Sequence, residues 1–495
     1  MLASLLAACG STSNETPTGT PNEAPETPEV PEEPETPEVP EEPETPEEPE
    51  TPEEPETPEE PVTLLAPENF SISAGGIKIF QFTWDDSENA TYYKLLENID
   101  GQSGFTVIRD NIPQGDQVIK VEVALHQSQF AQYMLQACLE DRCSGFSDIA
   151  FVQDNIEDLV NTVGFIKASN AEGNDRFGGI LEDDVSSSSA MSLSADGLTL
   201  VVGAPLEDSA SNSVNGVEDN NGRGNSGAVY VFTRSGDQWS QQAYIKSSNS
   251  DGGDQFGISV SISADGQRMA VGAFREDSST SGVSETSATN NGAGNSGAVY
   301  VFDRVDETWV ETAYIKSSDS QSDDFFGADV SLSDDGNTLA VGTRFEDSNA
   351  SVINGDGTNN SAGNSGAVYV FAFNNDAWSQ QAYIKASNSQ ASDAFGGAID
   401  ISADGNRLVV GARAEDSGNL NESDNSRGNS GAAYVFVRDD VNNWSQRAYL
   451  KASTIQGGDQ FGRAVSISAN GNMIAVGAND EDSAGAFLSE DESNN

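Results

Sequence analysis

From about residue 163 to the end of the chain, apolar residues come in short alternating runs, and the same series of runs keeps returning. In the unit between Asp254 and Trp309, Ile258, Val260 and Ile262 alternate with small or polar residues. Met269 and Val271 follow, then the run Ala298-Val299-Tyr300-Val301-Phe302, and after Trp309 the run Ala313-Tyr314-Ile315-Lys316. Period-two alternation over a few residues predicts half-buried strands, so each unit is expected to hold four of them, A to D. Asp265-Gly266 between A and B predicts a tight hairpin turn, because Gly tolerates positive φ. It returns as Asp196-Gly197, Asp335-Gly336 and Asp404-Gly405, and as Asn470-Gly471. Phe-Gly falls at Phe177, Phe256, Phe326, Phe395 and Phe461, in steps of 79, 70, 69 and 66 residues, and Trp239, Trp309, Trp378 and Trp444 keep the same beat. Several short strands at a fixed long period mark a radial or stacked repeat.

A four-stranded antiparallel sheet repeated about every 70 residues predicts the blade of a β-propeller. The fold class expected is therefore all-β. A strand-D run, Gly164-Phe165-Ile166-Lys167, comes first, four complete A–D sets follow, and a fifth begins at Phe461. That fifth set makes strand B at Ile474-Ala475-Val476-Gly477 and ends in the next loop at Asn495. A ring pairs its first and last strands, so residues 163–495 are expected to be an incomplete propeller, cut from a longer product.

Residues 64–153 have a different rhythm. Runs such as IKIFQFTWDD, QVIKVEVAL and AQYMLQACLEDRC read as short alternating strands, with Phe80, Phe82 and Trp84 on one face. Cys138 and Cys143 flank four residues, a spacing that lets two hairpin strands place them opposite each other as a disulfide. Such a bond suits an oxidising compartment. His126 is the only histidine and stands away from any ligand cluster, so a metal site at the cysteines is not expected.

Residues 10–63 are mostly Glu, Thr and Pro in the repeats ETPEEP and ETPEVP. Repeated Pro blocks helix and ladder, and like charges repel, so a disordered, extended stalk is predicted. At ~3.1 Å per residue it reaches on the order of 140 Å. The chain opens MLASLLAACGS. Its Leu6-Ala7-Ala8-Cys9 resembles a bacterial lipobox. The resemblance implies that residues 1–9 are a signal segment ending at a lipidated Cys9, with the chain anchored in the membrane by its acyl groups. Gly10 after the Cys is compatible in that family with sorting to the outer membrane. The usual positively charged n-region is absent from residues 1–8.

Charge narrows the partners. There are 81 acidic against 23 basic residues, a net of −58. Phosphate binding needs clustered Lys and Arg, so nucleic acid is not an expected partner. Divalent cations and basic partners remain compatible. No run of 18 or more apolar residues is present, so no membrane-spanning helix is expected.

Two further resemblances follow. Residues 64–153, through Trp84, Tyr92-Tyr93, Tyr133-x-Leu135-x-Ala137 and Ser144-Gly145-Phe146-Ser147, are similar to a fibronectin type III domain. The repeats, through Phe256-Gly257, Val271-Gly272-Ala273, Gly297-Ala298-Val299-Tyr300-Val301-Phe302 and their equivalents, resemble FG-GAP repeats, the blades of integrin alpha-chain propellers and of many bacterial surface proteins. The family habit implies five to eight blades, seven most often. It also implies a ligand-binding face on the rim shared by the B–C and D–A loops. The family's calcium string between A and B is missing. Only Asp-Gly remains, which cannot supply the six to eight oxygens calcium takes, so that site is not carried over.

Two other carboxylate sets recur. One is Asp-x-Phe-Gly, at Asp175, Asp254, Asp324, Asp393 and Asp459; the other is Glu-Asp-Ser after strand B, at Asp208, Asp277, Asp347, Asp416 and Asp482. In an antiparallel meander both fall on the B–C/D–A rim. They either cap turns by accepting backbone N–H groups or, for the Glu-Asp-Ser set, hold calcium. No histidine lies in the repeats, nor any nucleophile elbow, zinc-protease motif or phosphate loop. The function expected is a non-enzymatic, lipid-anchored surface module that binds an extracellular protein or glycan. The alternatives are the accessory propeller of a longer secreted hydrolase, or a purely structural envelope lipoprotein.

Overall fold

The structure, a computed structural model, describes residues 63–482 apart from Ile77, 124–127, Gln129, 156–164, 180–189 and Asp237. Cys9, His126, Gly164 and nearly all of the Glu/Thr/Pro tract lie outside the described residues, and Phe165, Ile166 and Lys167, expected to open the repeats as a strand D, form no strand.

Two sheets come first. Strands β1 (Ser71–Gly76), β2 (Ile79–Thr83) and β5 (Val118–Glu122) form one. Strands β4 (Thr106–Pro113), β3 (Tyr92–Asn98), β6 (Gln132–Leu139) and β7 (Arg142–Phe146) form the other in that order, with β8 (Ala150–Phe151) also on β6. Phe80, Phe82 and Trp84 are buried against Tyr93, Leu95, Tyr133 and Leu135. The alternation in the sequence is thus the inward face of a fibronectin type III-like sandwich. Cys138 and Cys143 face each other across the β6–β7 pair and form a disulfide.

Five further sheets follow. The first is β9 (Met191–Leu193), β10 (Thr199–Ala204), β11 (Ala228–Ser235) and β12 (Gln238–Ile245). The second is β13 (Ser259–Ile262), β14 (Arg268–Ala273), β16 (Ala298–Val305) and β17 (Thr308–Ile315), with β15 (Val283–Ser284) added outside β17. The third is β18 (Asp329–Leu332), β19 (Thr338–Thr343), β20 (Ala367–Asn374) and β21 (Ala377–Ile384). The fourth is β22 (Phe395–Ile401), β23 (Arg407–Ala412), β24 (Ala432–Arg438) and β25 (Trp444–Leu450). Strands β26 (Ala464–Ile467) and β27 (Ile474–Gly477) begin a fifth.

Two details depart from the sequence reading. The tryptophans, expected to precede strand D, sit inside it, and the C–D turn of the second and third sheets is Asp306-Glu307 and Asn375-Asp376, all at positive φ. Two left-handed residues make the tight turn that suits strand twist, so C and D both run longer than their apolar stretches. Strand β15, within a short polar run, carries no alternation and was not expected.

Period two also explains how the sheets stack. Val299 and Val301 of β16 pack forward onto the third sheet, beside Phe326, Val330 and Tyr369. Ala298, Tyr300 and Phe302 of the same strand pack backward onto Val229, Val231 and Ile245 of the first. Each inner strand is therefore buried on both faces, which is why strand C reads as unbroken apolar sequence. The approach is close enough to demand glycine. A Cβ on Gly272 of strand B would lie 2.1 Å from the carbonyl oxygen of Gly327 in the next sheet. The A–B turns form a chain as well. Ala195 N–H donates to Ala264 O, Ala264 to Asp334 O, Asp334 to Ala403 O and Ala403 to Ala469 O, all at 2.9–3.0 Å. The A strands of all five sheets line one cavity of about 370 Å³. This is the fan of blades about an axis that defines a propeller.

Candidate functional site

The Phe-Gly loops dock each sheet onto its predecessor. Phe256 N–H donates to Ser226 O at 3.0 Å, and Phe256 lies edge-on to Tyr300 with ring centroids 5.3 Å apart. Phe326 and Phe395 repeat both contacts on Ser296 and Tyr369, and on Ser365 and Tyr434. These bonds join a D–A loop to the B–C loop of the preceding sheet, so the two loop sets share a rim.

On that rim the Asp-x-Phe-Gly carboxylates are buried. Asp254 accepts the Asp251 N–H at 2.7 Å, and Asp175, Asp324 and Asp393 each accept the N–H three residues back, at 2.8–3.3 Å. Burial pushes Asp254 up to about 8, helped by Glu276, Asp251 and Asp277. Burial, with Asp319 and Glu346, pushes Asp324 up to about 8, and Asp393 rises to about 7. Asp175 and Asp459 are raised for the same first reason.

The Glu-Asp-Ser aspartates close their own loops. Oδ1 of Asp208, Asp277, Asp347 and Asp416 accepts the N–H of Asn225, Asn295, Asn364 and Asn429 at 2.7–2.8 Å. Their backbone carbonyls accept N–H groups of Arg223, Ala293, Ala362 and Arg427 from the same loops. The loop beyond Asp482 is outside the described residues. Among the described residues no group of three or more His, Cys, Asp or Glu is placed to hold a metal ion. Asp208, Asp277, Asp347 and Asp416 therefore sit one per sheet, each tied to its own backbone.

The neighbouring glutamate is the residue that sequence reasoning passed over. Glu276 accepts Lys316 Nζ at 2.7 Å, and that ammonium also donates to Ser296 Oγ at 2.7 Å. The pairs Lys246–Glu207, Lys385–Glu346 and Lys451–Glu415 repeat this at 2.7–2.8 Å, all with side chains at most 3% exposed. Tyr244, Tyr383 and Tyr449 hydroxyls donate to the other oxygen of their glutamates. Burial raises Glu346 and lowers Lys385, so dehydration opposes both charges and their attraction offsets it in part. A signal was available: each of these lysines stands seven residues after a tryptophan, in a chain poor in basic residues.

Fold and rim together define a bladed β-propeller whose four complete blades each have their loops stapled by one dry ion pair. The model of the FG-GAP repeat matches residues 239–302, 309–371, 378–436 and 444–488. Four consecutive FG-GAP repeats thus lie within residues 239–488, with a fibronectin type III-like sandwich before them. No curated protein matches it. Among solved structures, an Fn3-like protein from Clostridium thermocellum is 18% identical over 18% of this chain and 88% of that one, with a TM-score of 0.16. The chicken CNTN1 FN1–FN3 domains are 11% identical over 65% and 99%, with a TM-score of 0.16. The exotype rhamnogalacturonan lyase YesX is 12% identical over 79% and 68%, with a TM-score of 0.28.

Proposed function

We propose that this chain is a non-enzymatic binding lipoprotein of the bacterial cell surface. Cys9 carries the lipid, the Glu/Thr/Pro stalk holds the folded part clear of the membrane, and the rim of B–C and D–A loops meets an extracellular protein or glycan. One observation carries the reading: the rim's recurring Glu, Asp and Lys side chains are engaged in holding loops together, blade after blade. Repetition of that kind builds a presenting surface, whereas catalysis asks for one place unlike the rest.

Two measurements test it. Metabolic labelling with a radioactive fatty acid should mark the native chain and not Cys9→Ser, and protease added to intact cells should release the repeats. Labelling of both forms, or protection of the repeats in intact cells, ends the proposal. Calcium is the one cofactor the reading admits, at Asp208, Asp277, Asp347, Asp416 and Asp482. Calorimetric titration that gives neither heat nor a thermal shift removes it.

A further inference from the structure

One groove breaks the repeat. Trp309 donates its indole N–H to Gln242 of the preceding sheet at 3.1 Å, and Trp444 donates to Gln381 at 2.8 Å. Each glutamine stands three residues after its own sheet's tryptophan. Trp378 occupies the same setting, but the residue three after Trp309 is Thr312. That side chain is shorter, and its hydroxyl is turned to Val301 O at 3.4 Å. The Trp378 indole N–H, in a residue only 7% exposed, has no partner in the protein. A buried donor left unpaired has lost its water and gained no partner, which disfavours the empty groove.

Thr312 and Trp378 line one cavity of about 660 Å³, within the ~300–1,000 Å³ range of small-molecule sites. The cavity runs along strand D of the second sheet, from the C–D turn of the third sheet to β15 in the B–C loop of the second. Its aromatic wall is braced from behind. The Arg268 guanidinium lies 3.9 Å from the Phe373 ring centre and 5.5 Å from that of Trp378, and it grips both carboxylate oxygens of Asp303 at 2.6 and 3.0 Å. Opposite stands β15, the strand that only the second sheet carries among the described residues, with Val283 and Glu285 on the cavity. Asp376 adds another carboxylate.

A fitting ligand accepts one hydrogen bond from the indole, donates several to carboxylates, and lays an apolar face on Val283 and Phe373. A cationic side chain satisfies the carboxylates but cannot accept from the indole. Sugar hydroxyls both donate and accept, and a pyranose ring carries C–H faces. We propose that the groove between Thr312 and Trp378 binds a neutral saccharide, which takes the indole hydrogen bond that glutamine takes in the sheets on either side.

The test is an array of neutral and acidic glycans and basic peptides, probed with the full chain, Thr312→Gln and Trp378→Phe. Thr312→Gln rebuilds the glutamine of the other sheets and should raise the melting temperature, so lost binding in it cannot reflect unfolding. The native chain is expected to retain at least one neutral glycan, and each variant to retain it about tenfold less, the worth of one hydrogen bond. Three results overturn the proposal: no neutral glycan retained, equal retention by all three proteins, or retention of basic peptides alone. If Thr312→Gln melts higher while the native chain binds no glycan, the groove holds water only and the proposal fails. Equal retention by all three proteins leaves the rim as the glycan's site, and lipidation is untouched by any of these outcomes.

Discussion

The residue with the largest expected effect is Lys316. Its ammonium is dry, paired with Glu276 and bonded to Ser296, and that serine also donates to the carbonyls of Glu276 and Ser278. Lys316→Met leaves a buried carboxylate without its counter-charge, which costs roughly 3–5 kcal/mol. Chemical denaturation should show the loss, and Lys316→Met with Glu276→Gln should recover part of it. A single variant as stable as the native chain would show that the pair contributes nothing. The Asp-x-Phe-Gly aspartates give a separate signature in pH. Their ordinary value is 3.8, and Asp254, Asp324 and Asp393 are held near 8, 8 and 7 by burial. Between those limits the folded chain binds protons that the unfolded chain has lost. Their contribution to stability is therefore full below the unfolded value and disappears as pH rises through the folded ones. Compared with Asp254→Asn/Asp324→Asn/Asp393→Asn, the native chain should lose melting temperature between about pH 4 and about pH 8. Parallel pH profiles for the two proteins would show that these carboxylates are not buried as described.

At the scale of elements, stacking rests on glycine. Gly272→Ala puts a methyl group 2.1 Å from the Gly327 carbonyl oxygen, where only movement of one sheet relaxes the clash. The expected loss is about 1–3 kcal/mol or more. Gly224→Ala meets nothing within 4 Å and should leave the melting temperature within experimental error. Similar melting of both variants would refute the close approach. In the sandwich, the Cys138–Cys143 bond closes a short hairpin loop, for which loop-closure entropy gives about 2 kcal/mol. Cys138→Ala/Cys143→Ala should therefore fold and melt slightly lower.

These elements show what was legible in the sequence and what was not. Strand C was plain because two buried faces leave Ala298 to Phe302 wholly apolar. The Asp-Gly turn was plain because backbone geometry alone selects it. Strand D was read short, because Trp309, Val310 and Glu311 mix burial with exposure and lose the alternation. The Glu–Lys pairs were hidden because their partners stand 36–40 residues apart, and neither residue type announces burial. Thr312 was invisible by itself. It gains meaning only once the structure shows what Gln242 and Gln381 do at the same position.

For the whole molecule, charge is the dominant fact. A net of −58 makes the carboxylates repel one another at low ionic strength. The four Glu–Lys pairs do not screen this, because they are dry, neutral as pairs, and shielded from added salt. Exposed ion pairs are few among the described residues, and each contributes ~0–1 kcal/mol. Salt therefore has much repulsion to relieve and little attraction to weaken. Raising sodium chloride from about 10 mM to about 500 mM, where the Debye length falls from ~30 Å to under ~5 Å, should raise the melting temperature. A chain held together by surface ion pairs would melt lower instead, and that result would move the source of stability from the stacked sheet faces to the surface. The same field bears on partners. A basic ligand drawn to the rim by net charge alone should lose affinity steeply over that salt range, whereas a neutral saccharide in the Thr312–Trp378 groove should keep its affinity. The salt slope thus separates attraction to the whole molecule from recognition at one site.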